Sequence, residues 1–84
     1  MHEASVAQYT LEVLTETVNT DERLKGKKIN KITFAMGRPN TVMPASFEFY
    51  FTELVKGTGF DGVPIAYENS DEEGFFVSSI DVED

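Results

Sequence analysis

The sequence predicts an α+β domain in two layers, with two helices on one face of a small three-stranded mixed sheet, in the order helix, strand, helix, strand, strand. Two segments, residues 3–19 and 44–55, carry apolar residues at spacings of three and four, whereas three others alternate with period two. Glycines and prolines stand where the period changes. At 84 residues the chain suits one domain, whose core buries only about 60% of the surface that the unfolded chain exposes.

In residues 3 to about 19, Val6, Ala7, Leu11, Leu14 and Val18 lay one stripe along an amphipathic helix. Residues 21–28 are charged and contain Gly26, which predicts a turn. In NKITFAMG, Ile32, Phe34 and Met36 alternate with Lys31, Thr33 and Ala35 as a strand that Gly37 ends. Within RPNTVMPASFEFYFTELVKG, Pro44 suits a first helical turn, where its missing N–H has no bond to lose. Phe47, Tyr50, Phe51, Leu54 and Val55 form the second helical stripe, and Gly57 sits where a left-handed cap belongs. Val63, Ile65 and Tyr67 alternate with Pro64, Ala66 and Glu68 as a second strand, placed at an edge because Pro64 cannot donate to a ladder. The acidic ENSDEEG reads as a turn, and Phe76, Ser78, Ile80 and Val82 as a third strand. So short a connection predicts an antiparallel hairpin between the second and third strands.

Fifteen acidic residues against seven basic ones give a formal charge of −8, which excludes nucleic acid and anionic membranes as partners; it serves solubility first, and the same field attracts cations or a basic protein surface. No apolar run approaches the roughly 18 residues of a membrane span. The first twenty residues carry Glu3, Glu12 and Glu16 without the basic start of a signal peptide, so the mature chain is expected to begin at Met1. A chain without cysteine holds no disulfide and no thiolate metal site, which suits the cytoplasm.

The segment GTGFDG matches G-x-G-x-x-G, but it follows a helix and precedes a strand, the reverse of what dinucleotide binding requires, and Asp61 would repel a phosphate. Its glycines read as a cap and connecting turns. One histidine and no cysteine leave no nucleophile, base and orienting group for hydrolysis. Asp71, Glu72 and Glu73 lack the alternating spacing of a calcium loop and read as a solvated turn. His2 is different. Behind Met1 it offers a metal three nitrogens in fused chelate rings: the Met1 amine, its own deprotonated backbone nitrogen and its imidazole. Such a nearly planar set suits Ni(II) or Cu(II) rather than tetrahedral zinc.

The start MHEASVAQYTLEVL, the strand exit MGRPNTVMPASFEFYF, the helix exit LVKGTGFDGVPI and the ending SSIDVED together resemble the HypA nickel-insertion chaperones of hydrogenase and, in some bacteria, urease maturation. The resemblance implies a metallochaperone, not an enzyme, with Ni(II) as transient cargo. It assigns the metal to Met1, His2 and Glu3, through the amine of Met1, the backbone and imidazole of His2 and the backbone of Glu3. Asn40, in the loop facing this start, is expected to support that set. A nickel-delivering GTPase or apo-hydrogenase is the implied partner. Family members insert a zinc domain with two Cys-x-x-Cys pairs between the last two strands. Here residues 69–74 stand in its place, so residues 1–84 are expected to form a single nickel-binding domain without structural zinc. Arg38 also departs from the family, which commonly has an acidic residue after that glycine. The alternative is a metal-free interaction or regulatory module. Its surface would be the free sheet edge or the aromatics Phe60, Phe75 and Phe76, one of which is left for a partner or a weak contact with a second copy.

Overall fold

A computed structural model describes residues 3–38 and 42–83. Helix α1 (Glu3–Thr20), strand β1 (Lys28–Met36), helix α2 (Pro44–Leu54) and strands β2 (Ile65–Asn69) and β3 (Phe75–Glu83) follow in that order. The expected α+β layering holds. The sheet is mixed: β1 lies in the centre, parallel to β2 and antiparallel to β3.

The predicted β2–β3 hairpin is therefore wrong, because β1 runs between the two strands. Two strand spacings are about 10 Å, and the five residues 70–74 can extend to about 17 Å. The connection is thus long enough either to turn back beside β2 or to arch over the end of β1. Burial selects the arch. In β1, Ile29, Ile32, Phe34 and Ala35 are all buried, and a strand that apolar is most stable with a ladder on both sides. The β1–α2–β2 crossover then places β2 parallel to it.

β1 begins two residues earlier than NKITFAMG implies. A register irregularity between Ile29 and Lys31 breaks the alternation, so Ile29 and Ile32 both reach the core although three positions separate them. A second irregularity, opposite the step from Thr33 to Phe34, puts an extra residue into β3 at Ser78. Phe75 and Val77 consequently join Ile80 and Val82 against the core. The sequence pattern had instead grouped Phe76 and Ser78 with Ile80 and Val82.

On α1, Ala7, Thr10 and Leu14 are buried, and Val6, Leu11 and Val18 pack beside them, as the helical stripe predicts. Asp21 follows the helix. The Arg23 guanidinium donates to its carboxylate from Nε at 3.1 Å and Nη2 at 2.8 Å. With the Arg23 N–H it holds the carboxyl at about 2, against an ordinary 3.8. On α2 only Phe47 and Phe51 are buried, with Val55 just beyond. Tyr50 and Leu54, predicted on the inner stripe, are exposed, because an eleven-residue helix lying on three strands covers only a narrow face.

Phe34 joins the layers. Its ring meets Phe47 edge-on at 5.0 Å and Phe51 edge-on at 5.8 Å, and stacks on Phe75 at 5.4 Å. Tyr67 lies 6.0 Å away on β2, and its hydroxyl donates to a Glu48 carboxylate oxygen on α2 at 3.0 Å. Burial first, and then this bond to an anion, raise the Tyr67 hydroxyl above its ordinary 10.0.

Phe34→Ala is expected to lower unfolding stability by about 3–5 kcal/mol, measured by urea denaturation, through lost burial and an uncollapsed cavity. Tyr67→Phe should cost about 1 kcal/mol, the net value of one hydrogen bond. Because the folded state holds the Tyr67 proton more tightly than the unfolded chain, this contribution is complete below pH 10 and declines as the pH rises above it. The gap between wild type and Tyr67→Phe should therefore narrow between pH 9 and about pH 11; a constant gap would contradict the assignment.

Candidate metal centre

The predicted metal residues begin where α1 begins. Glu3 is its first residue and half-buried, in the turn where the helix dipole favours a carboxylate. Met1, His2 and Asn40 lie outside the described residues. Topology nevertheless fixes which end of the domain the α1 start occupies. α1 is about 27 Å long, and a turn over residues 21–27 leads from its last residue to the first of β1. β1 then runs back for about 30 Å. The start of α1 thus lies at the end of the sheet where β1 exits.

The same end gathers the arch. As residues 70–74 cross over β1, the Gly37 N–H donates to the Gly74 carbonyl at 2.7 Å and the Arg38 N–H to the Glu72 carbonyl at 3.2 Å. The Ser70 N–H donates back to the Met36 carbonyl at 2.9 Å, and the Glu72 N–H to Ser70 Oγ at 3.1 Å. A small polar cleft of about 400 Å³ lies between Gly37, Arg38, Asn69 and Asp71. The crossing is close enough to require glycine. A Cβ at position 37 would overlap the Glu72 carbonyl and come within 2.8 Å of the Gly74 oxygen. The sequence pattern marks Gly37 only as the end of a strand; its second role depends on contact with residues 72 and 74, which no local signal carries.

Among the described residues no three His, Asp or Glu side chains converge as a metal-ligand cluster, and Asp71, Glu72 and Glu73 are exposed. They form a solvated turn, as read, although it is an arch and not a hairpin tip. In GTGFDG, Gly57 and Gly62 take φ of +80° and +75°, the left-handed conformation that glycine permits. The Asp61 carboxylate accepts from the Gly57 N–H at 3.0 Å, and the loop buries Phe60. These are a helix exit and turns, with the amide a phosphate would use already bound to an anion. Phe60 is buried in the core; Phe75 and Phe76 are both half-buried, Phe75 packing on the core.

The family model for hydrogenase/urease nickel incorporation, the HypA metallochaperones, matches residues 1–75. The chain is 32% identical over 68 residues to the hydrogenase maturation factor HypA of Caldanaerobacter subterraneus subsp. tengcongensis, an alignment covering 81% of this chain and 57% of that protein. The chain thus spans little more than half the length of this relative. It belongs to the HypA family, a family of metallochaperones and not of enzymes. Among the described residues no helix is long and apolar enough to cross a membrane.

Gly37→Ala is expected to destabilise the domain by about 2 kcal/mol, within the range for forced overpacking. Hydrogen exchange should quicken first at the Gly37, Arg38 and Ser70 amides, whose bonds hold the arch. Unchanged stability would show that the arch can lift without loss.

Proposed function

We propose that this chain is a HypA-like nickel metallochaperone domain that binds Ni(II) through Met1, His2 and Glu3 and delivers it during hydrogenase or urease maturation. The observation that supports the reading is that the family match begins at residue 1, so Met1, His2 and Glu3 lie within the stretch that the family model covers. The donors are the Met1 amine, the backbone nitrogen and imidazole of His2 and the backbone of Glu3. Nitrogen donors in a near-planar set suit Ni(II). An incomplete shell keeps the ion labile, so that a GTPase partner or the apo-enzyme can take the open position. Asn40, which lies between β1 and α2 in the sequence, supports the set. Residues 1–84 act as one nickel-binding domain, and the arch over residues 70–74 replaces the zinc domain of other family members.

The same arch supports a second reading. A five-residue crossing tied down by three backbone bonds, in a chain without cysteine, also suits a metal-free interaction module that no longer handles nickel.

Calorimetric titration with Ni(II) of untagged protein beginning at Met1 separates the two. The chaperone reading expects one tight site that weakens by at least about 10–100-fold in His2→Ala and again when two residues precede Met1. Affinity should fall as the pH drops below about 8, because the amine (reference pKa about 7.7–8.0) and then the imidazole (about 6.5) must lose protons to bind. Cu(II) should bind at least as tightly. Equal binding by all three proteins would move the metal elsewhere, and no binding would favour the interaction module.

A further inference from the structure

The nickel reading leaves the free edge of β3 unused. A groove of about 1230 Å³ runs between α1 and β3, with Tyr9 and Val13 on the helix wall and the unbroken run of residues 74–80 along the strand. Successive strand side chains point to opposite faces, so a cleft lined by consecutive residues follows the backbone edge and not one face. β3 pairs with β1 on one side only. On the other side, alternate N–H and C=O groups of a nine-residue strand have no strand partner. The opposite edge is blunter. β2 has five residues and follows Pro64, which has no N–H to offer.

The groove is apolar where it faces the helices. Phe75, Val77, Ile80 and Val82 pack on the core without being fully covered, and Tyr9 and Val13 are 68% and 37% exposed. Its rim is acidic. α1 carries Glu3, Glu12 and Glu16 with no basic residue, and β3 carries Asp81 and Glu83 with none, although Lys31 of β1 reaches Asp81 in an exposed pair at 3.9 Å. Asp71, Glu72 and Glu73 precede β3 in the arch. Arg23, a cation lining the groove, is engaged by Asp21 at 2.8 Å.

This charge pattern decides between occupants. A second copy paired edge to edge would bring two wholly acidic α1 helices together, each on a chain of charge −8, and like charge across a contact opposes it. A basic segment gains from the same field. Alternation refines the match: Ile80 and Val82 face the core side while Asp81 and Glu83 face outward. An added strand with apolar residues inward and basic residues outward would complement both.

We infer that the α1–β3 groove docks an extended segment of another protein that alternates basic and apolar residues, added as a fourth strand on β3. Its backbone satisfies the free β3 edge, its apolar side chains cover Tyr9 and Val13, and its basic side chains meet the carboxylates of β3 and the arch. This docking is independent of metal binding.

The test uses metal-free, ¹⁵N-labelled protein, so its failure leaves the nickel reading untouched. The probe is an end-capped heptapeptide alternating lysine and valine, with a glutamate-for-lysine counterpart as control. Amide exchange along β3 should slow at least tenfold at alternate positions, with shifts at Tyr9 and Val13. The acidic counterpart should not bind. Val13→Lys, which places a cation in the wall, should weaken binding at least tenfold, whereas Phe49→Lys on the exposed face of α2 should leave it unchanged. The inference is overturned by no protection at millimolar peptide, protection at β2 instead, equal binding of the acidic peptide, or no effect of Val13→Lys. Concentration-dependent shifts at the same residues without peptide would also overturn it, in favour of a second copy.

Discussion

Phe34 in the middle of β1 is the contact on which the remaining structure depends. Its ring touches α2 through Phe47 and Phe51, β3 through Phe75 and β2 through Tyr67. A small domain buries little surface in total, so an aromatic cluster that joins both edge strands and a helix supplies much of its cohesion. Helix α1 adds Ala7 and Leu14 to the same core. The cluster explains why β1 is central: on an edge strand Phe34 could not be enclosed from both sides.

A central β1 has a consequence at its exit. The chain must pass from β2 to β3 over the end of β1, and the close crossing at Gly37 follows from that route. The crossing, the β1–α2 loop and the start of α1 then share one end of the domain, because α1 and β1 are similar in length and run in opposite directions. Glu3, the described member of the proposed metal set, begins α1 at this end.

Surface charge separates the remaining faces. Four of the seven basic residues, Arg23, Lys25, Lys27 and Lys28, lie between the end of α1 and the start of β1, away from the exit end where Asp71, Glu72 and Glu73 lie. The acidic end carries the field that attracts a divalent cation or a basic protein segment, and the β3 groove opens beside it. The proposed metal residues and the proposed docking groove therefore fall in adjacent but different parts of the chain.

Much of this was legible in the sequence. Local periodicity gave both helices, all three strands and the acidic turn, because amphipathic burial repeats every 3.6 or 2 residues whatever the neighbours are. The proposed terminal nitrogen donors rest on the sequence alone, since chelation by consecutive residues needs no tertiary contact. Strand order was not legible, because a five-residue connection reaches equally well to a neighbour or across one. Nor were the irregularities at Asn30 and Ser78, which change the facing of Ile29, Phe75 and Val77 through pairing with another strand. The role of Gly37 and the groove along β3 likewise arise only when distant segments meet, and no local pattern encodes the distance between them.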